Sequence, residues 1–386
     1  MVYSKPQEFG ALTLVFSVRE ALPPDGYYAL SGGIPDPDFT GLPMTWVKET
    51  ENGSGVLTAP TDWKKVEGGL VPVSPSGYRV LSDCYADGTV IAGVGFPTPV
   101  SHEYLMCVKE TVDGHDYTAL GIEGEKQGLY SETKRPVTIP DGSGILMIPG
   151  ASLWFDGGHD GRGNGNVYVL NLPFQTWKGP QLDVPILRDY VDVPRTVNEV
   201  IDRKVTVPCT ALTDKGKSPE WTVENSPVYT LQRKRSYTLV EALNLKDSSS
   251  PGEISQEVEV GVESTKSSSF SEKTGFKVGF EVGAEFEGLG AKVTGEASYE
   301  LGYEESHSVS VMQNTTKGVK ADAAARHTTA LYVENHALFA LRVDGSAVSD
   351  ADDLDFYAGG SYVAVQYPPP SQGEVPPRVT VASAGT

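Results

Sequence analysis

Residues 274–301, TGFKVGFEVGAEFEGLGAKVTGEASYEL, alternate side-chain character through two arms joined by two residues. On the first arm Phe276, Val278, Phe280, Val282, Ala284 and Phe286 fall on one face; Lys277, Glu281, Glu285 and the glycines 275, 279 and 283 fall on the other. After Glu287-Gly288 the parity inverts. Leu289, Ala291, Val293, Ala297, Tyr299 and Leu301 now take the odd positions, and Lys292, Thr294, Glu296, Ser298 and Glu300 the even ones. A period of two is that of a β-strand with one apolar face. A parity change across two residues is what a tight hairpin requires, and it sets Phe286 against Leu289, Val282 against Val293 and Val278 against Ala297.

Each arm keeps its alternation for 13 residues (274–286 and 289–301). Globular strands run to about 5–6 residues, whereas a tilted strand needs about 9–11 to cross a bilayer. Gly recurs on the polar face, where a soluble strand would favour Thr or Val. The flanks, Glu263-Ser-Thr-Lys-Ser-Ser-Ser before and Ser306-His-Ser-Val-Ser-Val after, read as polar strands that tolerate water on both faces. An amphipathic hairpin between two Ser/Thr-rich strands, late in a β-rich chain, resembles the aerolysin-type β-pore-forming toxins over residues 191–386. The resemblance implies an elongated pore-forming domain. Phe276, Val278, Phe280, Val282, Phe286, Leu289 and Val293 would face lipid, and Lys277, Glu281, Glu285, Lys292, Glu296 and Glu300 would line the pore. It implies a homo-oligomer at the plasma membrane of a target cell.

Composition agrees with an all-β class: the 42 Gly, 27 Pro and 18 Tyr punctuate short Val/Tyr/Thr runs, and windows of helical periodicity are scarce. A net charge of −20 leaves no basic stripe for nucleic acid and no general attraction to anionic lipid. A membrane-active chain of this charge needs a receptor, expected to be a glycan or glycoprotein. No run of 18 apolar residues is present. The start, Met1-Val-Tyr-Ser-Lys-Pro-Gln-Glu-Phe, lacks the apolar core of a signal peptide, so a soluble chain is expected, either made without the usual export signal or present in its mature form. Cys84, Cys107 and Cys209 show no metal spacing, and a Cys84–Cys107 disulfide and three buried thiols both fit.

The first half carries internal echoes. PPDGYYALS (23–31), PSGYRVLS (75–82) and HDYTALG (115–121) each contain Tyr, two variable residues and Leu, starting at Tyr27, Tyr78 and Tyr117. Trp46-Val-Lys-Glu and Cys107-Val-Lys-Glu form a second echo. Three units imply pseudo-threefold stacking, as in a β-prism or a β-trefoil. With Leu153-Trp-Phe-Asp-Gly-Gly-His-Asp-Gly, these phrases resemble the domain named after vacuolar protein sorting-associated protein 62 over residues 10–190, which implies the prism. A prism of this kind joined to an aerolysin-like module resembles insecticidal pore-forming proteins. In the loop 156–166, Asp156, His159, Asp160 and Asn164 offer polar groups to a receptor sugar. Its oxygens could also serve Ca²⁺, though the spacing is not that of an EF-hand, and Gly-rich turn geometry explains the same residues without a ligand. No metal or other cofactor is expected.

Prolines 173, 180, 185 and 194 mark an extended connector, placing domain boundaries at 1–190 and 191–386. Beyond it, Lys204-Val-Thr-Val, Trp221-Thr-Val, Val228-Tyr-Thr-Leu, Ser236-Tyr-Thr-Leu-Val, Ile254–Val262, Thr328–Val343 and Phe356–Tyr367 read as strands. Ala321–Arg326 could form a helical turn, and Pro368 opens a tail expected to be loose. Arg233-Lys-Arg235 suits either a protease-sensitive loop or a charged strand surface. Six scattered histidines, with no H-E-x-x-H, G-x-S-x-G or P-loop pattern, argue against an enzyme. Two readings remain: a pore-former, or a lectin-like carbohydrate-binding or structural β protein with an inert hairpin.

Overall fold

The computed structural model describes residues 3–18, 22–30, 43–66, 69–81, 84–85, 101–122, 167–212, 214–274, 276, 300–303, 314–373 and 375–383. It is all-β, as the composition requires. Among the described residues the largest sheet has five strands, ordered Gln175–Lys178, Thr196–Pro208, Val228–Asn244, Thr328–Leu341 and Leu354–Tyr367, all antiparallel neighbours. The central pairing runs from Thr230 opposite Leu341 to Asn244 opposite Thr328. These long strands are rich in Val, Tyr, Thr and Leu and carry no internal proline. A second sheet joins Gly252–Val260, Thr315–Ala323 and Val379–Ser383. In Gly252–Val260 the expected alternation holds, with Ile254, Val258 and Val260 buried.

In the first half the three tyrosine segments meet their partners in a common register. Tyr28 bridges Val47, Arg79 pairs with Val108, and Thr118 pairs with Leu170. Each of these is the residue after the repeated tyrosine, and each partner is buried in one hydrophobic core. The entry turns also agree. Tyr27 N donates to Pro24 O and Tyr78 N to Pro75 O, with Gly26 and Gly77 both at positive φ, 77° and 78°. The Tyr117 hydroxyl reaches back to accept from Ala11 N at 2.7 Å. Gly10, at φ 59°, is needed there, because a Cβ would lie 2.3 Å from that hydroxyl.

Sheet membership changes between Val167–Leu170, paired with Thr118–Ile122, and Gln175–Lys178, paired within the large sheet. The core is continuous across that point: Phe9, Leu12 and Val47 cluster with Val205, Val207, Leu231, Leu338 and Phe356.

Several local expectations are corrected. Trp221-Thr-Val lies in a helix, Pro219–Asn225, because Ser218 caps it by accepting from Trp221 N and Pro219 suits the first turn. The Ser-rich flank before the hairpin is also helical, Ser264–Thr274, and buries Phe270 and Thr274 four residues apart on one side. Ala321–Ala323 extend a strand rather than a helical turn. The chain beyond Pro368 returns as the strand Val379–Ser383. Cys107 is a buried free thiol, as is Cys209, so Cys107 forms no disulfide with Cys84.

Candidate functional site

Residues 277–299, the body of the expected amphipathic hairpin, and the loop 156–166, where Asp156, His159, Asp160 and Asn164 are expected to contact a receptor, lie outside the described residues. Both ends of the hairpin are described. On the entering side the helix Ser264–Thr274 delivers Thr274 into the core, where its hydroxyl donates to Phe270 O at 2.8 Å and accepts from Phe276 N at 3.1 Å. Phe276 is 4% exposed, packed in the same core as Phe270, Leu301 and Tyr303. On the returning side Glu300 sits at intermediate exposure in a helical turn, followed by buried Leu301, Gly302 at φ 84°, and Tyr303, 2% exposed.

Beneath this returning end lies a buried charged cluster drawn from three strands. Asp202 is the extra residue of a β-bulge: Ile201 faces Lys234 and Arg203 faces Arg233, leaving Asp202 outside the ladder. Bulges re-aim side chains, and here the carboxylate accepts from Arg233 Nε at 2.9 Å and Nη2 at 2.6 Å, and from Arg235 Nη1 at 3.3 Å. Arg235 Nε donates to Glu334 Oε1, which also receives His336 Nε2 at 2.7 Å. His336 Nδ1 meets the Tyr303 hydroxyl at 2.8 Å, and the Arg233 guanidinium stands 5.0 Å from the Tyr303 ring centre. Phe356 closes the aromatic side, 5.5 Å from His336 and 6.4 Å from Tyr303. These residues share one face because 233 and 235, like 334 and 336, are two apart, and Arg235 lies opposite His336.

The protonation pattern follows from the partners. A carboxylate only accepts, so His336 Nε2 carries its proton toward Glu334, and Nδ1 accepts from Tyr303. Burial lowers the His336 pKa; Glu334 opposes that shift, and Arg233 and Arg235 add to it. The imidazole is therefore neutral at neutral pH. Burial works against the Glu334 charge, but hydrogen bonds from His336 and Arg235 prevail and hold it down at about 2. Asp202 likewise stays below the ordinary carboxylate range: burial raises it, and Arg233 and Arg235 more than compensate. Burial pushes the Tyr303 hydroxyl up, so it remains a donor.

Residues 200–352 match the family model Insecticidal Crystal Toxin, P42. The matched span is less than half of the chain, yet it contains every charged member of the cluster, the helix Ser264–Thr274, the whole hairpin segment and Tyr303. Among solved structures, the crystal structure of Cry35Ab1 aligns over 94% of this chain and 79% of that one, at 12% identity and a TM-score of 0.37, an overlap too low to transfer fold or function. No curated protein matches the chain.

Of the residues read from sequence, Phe276 and Glu300 are described, at opposite ends of the hairpin segment. The cluster itself was missed. Arg233-Lys-Arg235 is not a protease-sensitive loop: it lies on the central strand, with Arg233 buried. The available signal was a pair of ionisable side chains two residues apart, Arg233 and Arg235, echoed by Glu334 and His336 in a strand whose other residues carry no charge. Among the described residues no helix is long and apolar enough to cross a membrane, and no group of three His, Cys, Asp or Glu side chains is placed to hold a metal ion.

Proposed function

We propose that the chain is a non-enzymatic pore-forming toxin whose inserting element is the hairpin 274–301. The observation that carries this reading is the coincidence of two features within 200–352. That span matches an insecticidal crystal toxin family, and inside it lies the bilayer-length alternating hairpin. The family description makes insects the expected targets. The burial of Phe276 and Leu301 in the core supports storage of the apolar face within the unassembled subunit, since exposing such a face would promote aggregation.

Residues 1–190 serve as the receptor-binding module, and the common register of the three tyrosine segments supports its threefold prism reading. Asp156, His159, Asp160 and Asn164 supply receptor contacts, to a glycan or glycoprotein. With a net charge of −20 the protein gains little from anionic lipid alone, so receptor capture comes first. Captured subunits associate, and their hairpins close into a barrel that pairs every strand edge and so satisfies the backbone in lipid. Each Phe or Val leaving the core forfeits about 1.5–3 kcal/mol of burial, which transfer into hydrocarbon restores.

Mixing the protein with receptor-bearing insect cells or vesicles made from their membranes tests the reading. Entrapped dye should escape and the native size should rise to that of an oligomer. Phe280→Asp, which places a charge on the lipid-facing side at a cost of about 2–4 kcal/mol per subunit if near the midplane, should bind cells normally and release no dye. Adhesion without leakage by the unmodified protein would leave only the lectin-like alternative.

A further inference from the structure

The chain holds two strand registers, one on each side of the helix Ser264–Thr274. The first is a feature of the structure: Gly252–Val260 pairs with Thr315–Ala323, from Gly252 opposite Ala323 to Val260 opposite Thr315. The second is read from the alternation of the hairpin sequence, which sets Phe286 against Leu289, Val282 against Val293 and Phe276 against Tyr299. Val260 and Phe276 are 16 positions apart (276 − 260), and so are Tyr299 and Thr315 (315 − 299). Equal spacing lets one antiparallel ladder run from Gly252 and Ala323 to Phe286 and Leu289 without a bulge. An even spacing also keeps the face. Ile254, Val258 and Val260 fall with Phe276, Val278 and Phe280, and so do Val262 and Phe270 between them. Glu253, Ser255, Glu257 and Glu259 fall with Lys277, Glu281 and Glu285. A soluble subunit needs neither match, because the helix interrupts the ladder.

The first face is covered: Ile254, Val258, Val260, Val319 and Ala321 pack with Leu331 of the large sheet. The second is open, with Glu253, Ser255, Glu257, Glu259, Thr316, Lys320 and Asp322 exposed. Its charges are spread unevenly. At the end away from the hairpin Glu253 holds Lys320 at 2.8 Å, and Asp322 N donates to the carbonyl of Arg378. At the end toward the hairpin Glu257 and Glu259 stand opposite Gly318 and Thr316 rather than a base. The third strand, Val379–Ser383, brings the uncharged Thr380 and Ala382 to this face, opposite Lys320 and Gly318.

We propose that in the assembled pore residues 252–286 and 289–323 form one continuous ladder, so that Glu257 and Glu259 line the mouth of the channel above the hairpin's own Glu281 and Glu285. This ladder presupposes the pore-forming reading and adds to it two lining residues that lie outside the hairpin. The stretch 264–274 is then strand, and it is polar on both faces apart from Phe270, which suits water on both sides above a membrane. At about 3.3 Å per residue, Glu259 and Glu281 are about 70 Å apart along the strand. That exceeds the screening length of about 10 Å at 0.1 M salt many times over. The mouth and the hairpin therefore act on ions separately, and the mouth acts from the side on which the protein is added.

Single channels test this in a planar bilayer prepared with receptor-bearing membrane extract and protein added to one side. Glu257 and Glu259 are exposed and outside the core, so their variants fold. Glu257→Gln with Glu259→Gln should leave channel formation intact. It should about halve the cation current entering from the side of addition at about 0.1 M salt, an effect that disappears at about 1 M. In channels already open, Glu259→Cys should gain cation current when an anionic thiol reagent is added on that side. Glu224→Cys, exposed on the helix Pro219–Asn225, should not respond. Channels that ignore both changes, while Glu281→Gln still weakens their cation preference, overturn the continuous ladder and leave the pore reading standing. A protein that forms no channels removes the pore reading and the ladder with it.

Discussion

Asp202 is the residue on which the buried cluster depends, because it is the acceptor shared by Arg233 and Arg235. Its side chain is 3% exposed and that of Arg233 7%, so neither charge can turn to water for compensation. Burying such a pair gains little over an apolar substitute, but removing one partner strands the other. Asp202→Ala should therefore lower the unfolding free energy by about 3–5 kcal/mol, read as a shift in the urea midpoint. The exposed pair Lys320–Glu253, 2.8 Å apart but about half exposed on both sides, supplies the contrast: Glu253→Ala should cost about 0–1 kcal/mol. Equal losses in the two variants would mean that the cluster is hydrated. The bulge that aims Asp202 inward is a property of register, set by strand pairing roughly 30 residues apart in the chain. Nothing in the local sequence around Asp202 announces it, which is why this residue was not legible before the structure.

At the scale of elements, the strands with one buried face were legible and the short helices were not. Ile254, Val258 and Val260 alternate in sequence and are buried in the structure, since a period of two admits few other folds. Trp221-Thr-Val has strand-favouring residues, yet Ser218 and Pro219 start a helix there, so a capping signal outweighed propensity. The helix Ser264–Thr274 is harder to read because its Ser and Thr residues favour neither state strongly. Phe270 and Thr274 decide the matter by being buried one helical turn apart. A weak helix abutting the hairpin carries a consequence for the proposed barrel: if the strands extend past Thr274, this helix must melt. Thr265, Ser268 and Ser269 are exposed, and replacing all three by Ala adds about 1.5 kcal/mol of helix preference without touching the core. Dye release should then slow by roughly tenfold while binding to cells is unchanged. An unaltered rate would mean that the helix persists in the assembled state and that the barrel begins at Thr274.

For the whole molecule, charge decides how it meets a membrane and what would pass through it. The chain carries 51 acidic against 31 basic residues, so the proposed assembly would bring together subunits that repel at long range. Over 274–301 the sequence has Lys277 and Lys292 against Glu281, Glu285, Glu287, Glu296 and Glu300, a net −3 per subunit. In the proposed barrel, with Phe276, Val278, Phe280, Val282, Phe286, Leu289 and Val293 toward lipid, the alternation would turn Lys277, Glu281, Glu285, Lys292, Glu296 and Glu300 toward water. The symmetry of such an assembly would repeat each of these as a ring. Glu281 and Glu285 are not offset by a lysine at a neighbouring lumen position within their own arm, and rings of carboxylates favour cations. The pore should therefore be cation-selective, with the preference fading as salt shortens the screening length from about 10 Å at 0.1 M to about 3 Å at 1 M. Glu281→Gln should leave insertion intact and weaken the preference, because it removes one full ring of charge while keeping shape. Reversal potentials across a planar bilayer under a salt gradient measure this directly. Anion preference in the unmodified protein would reverse the assignment of the two faces, and with it the claim that the polar face of this hairpin lines the channel.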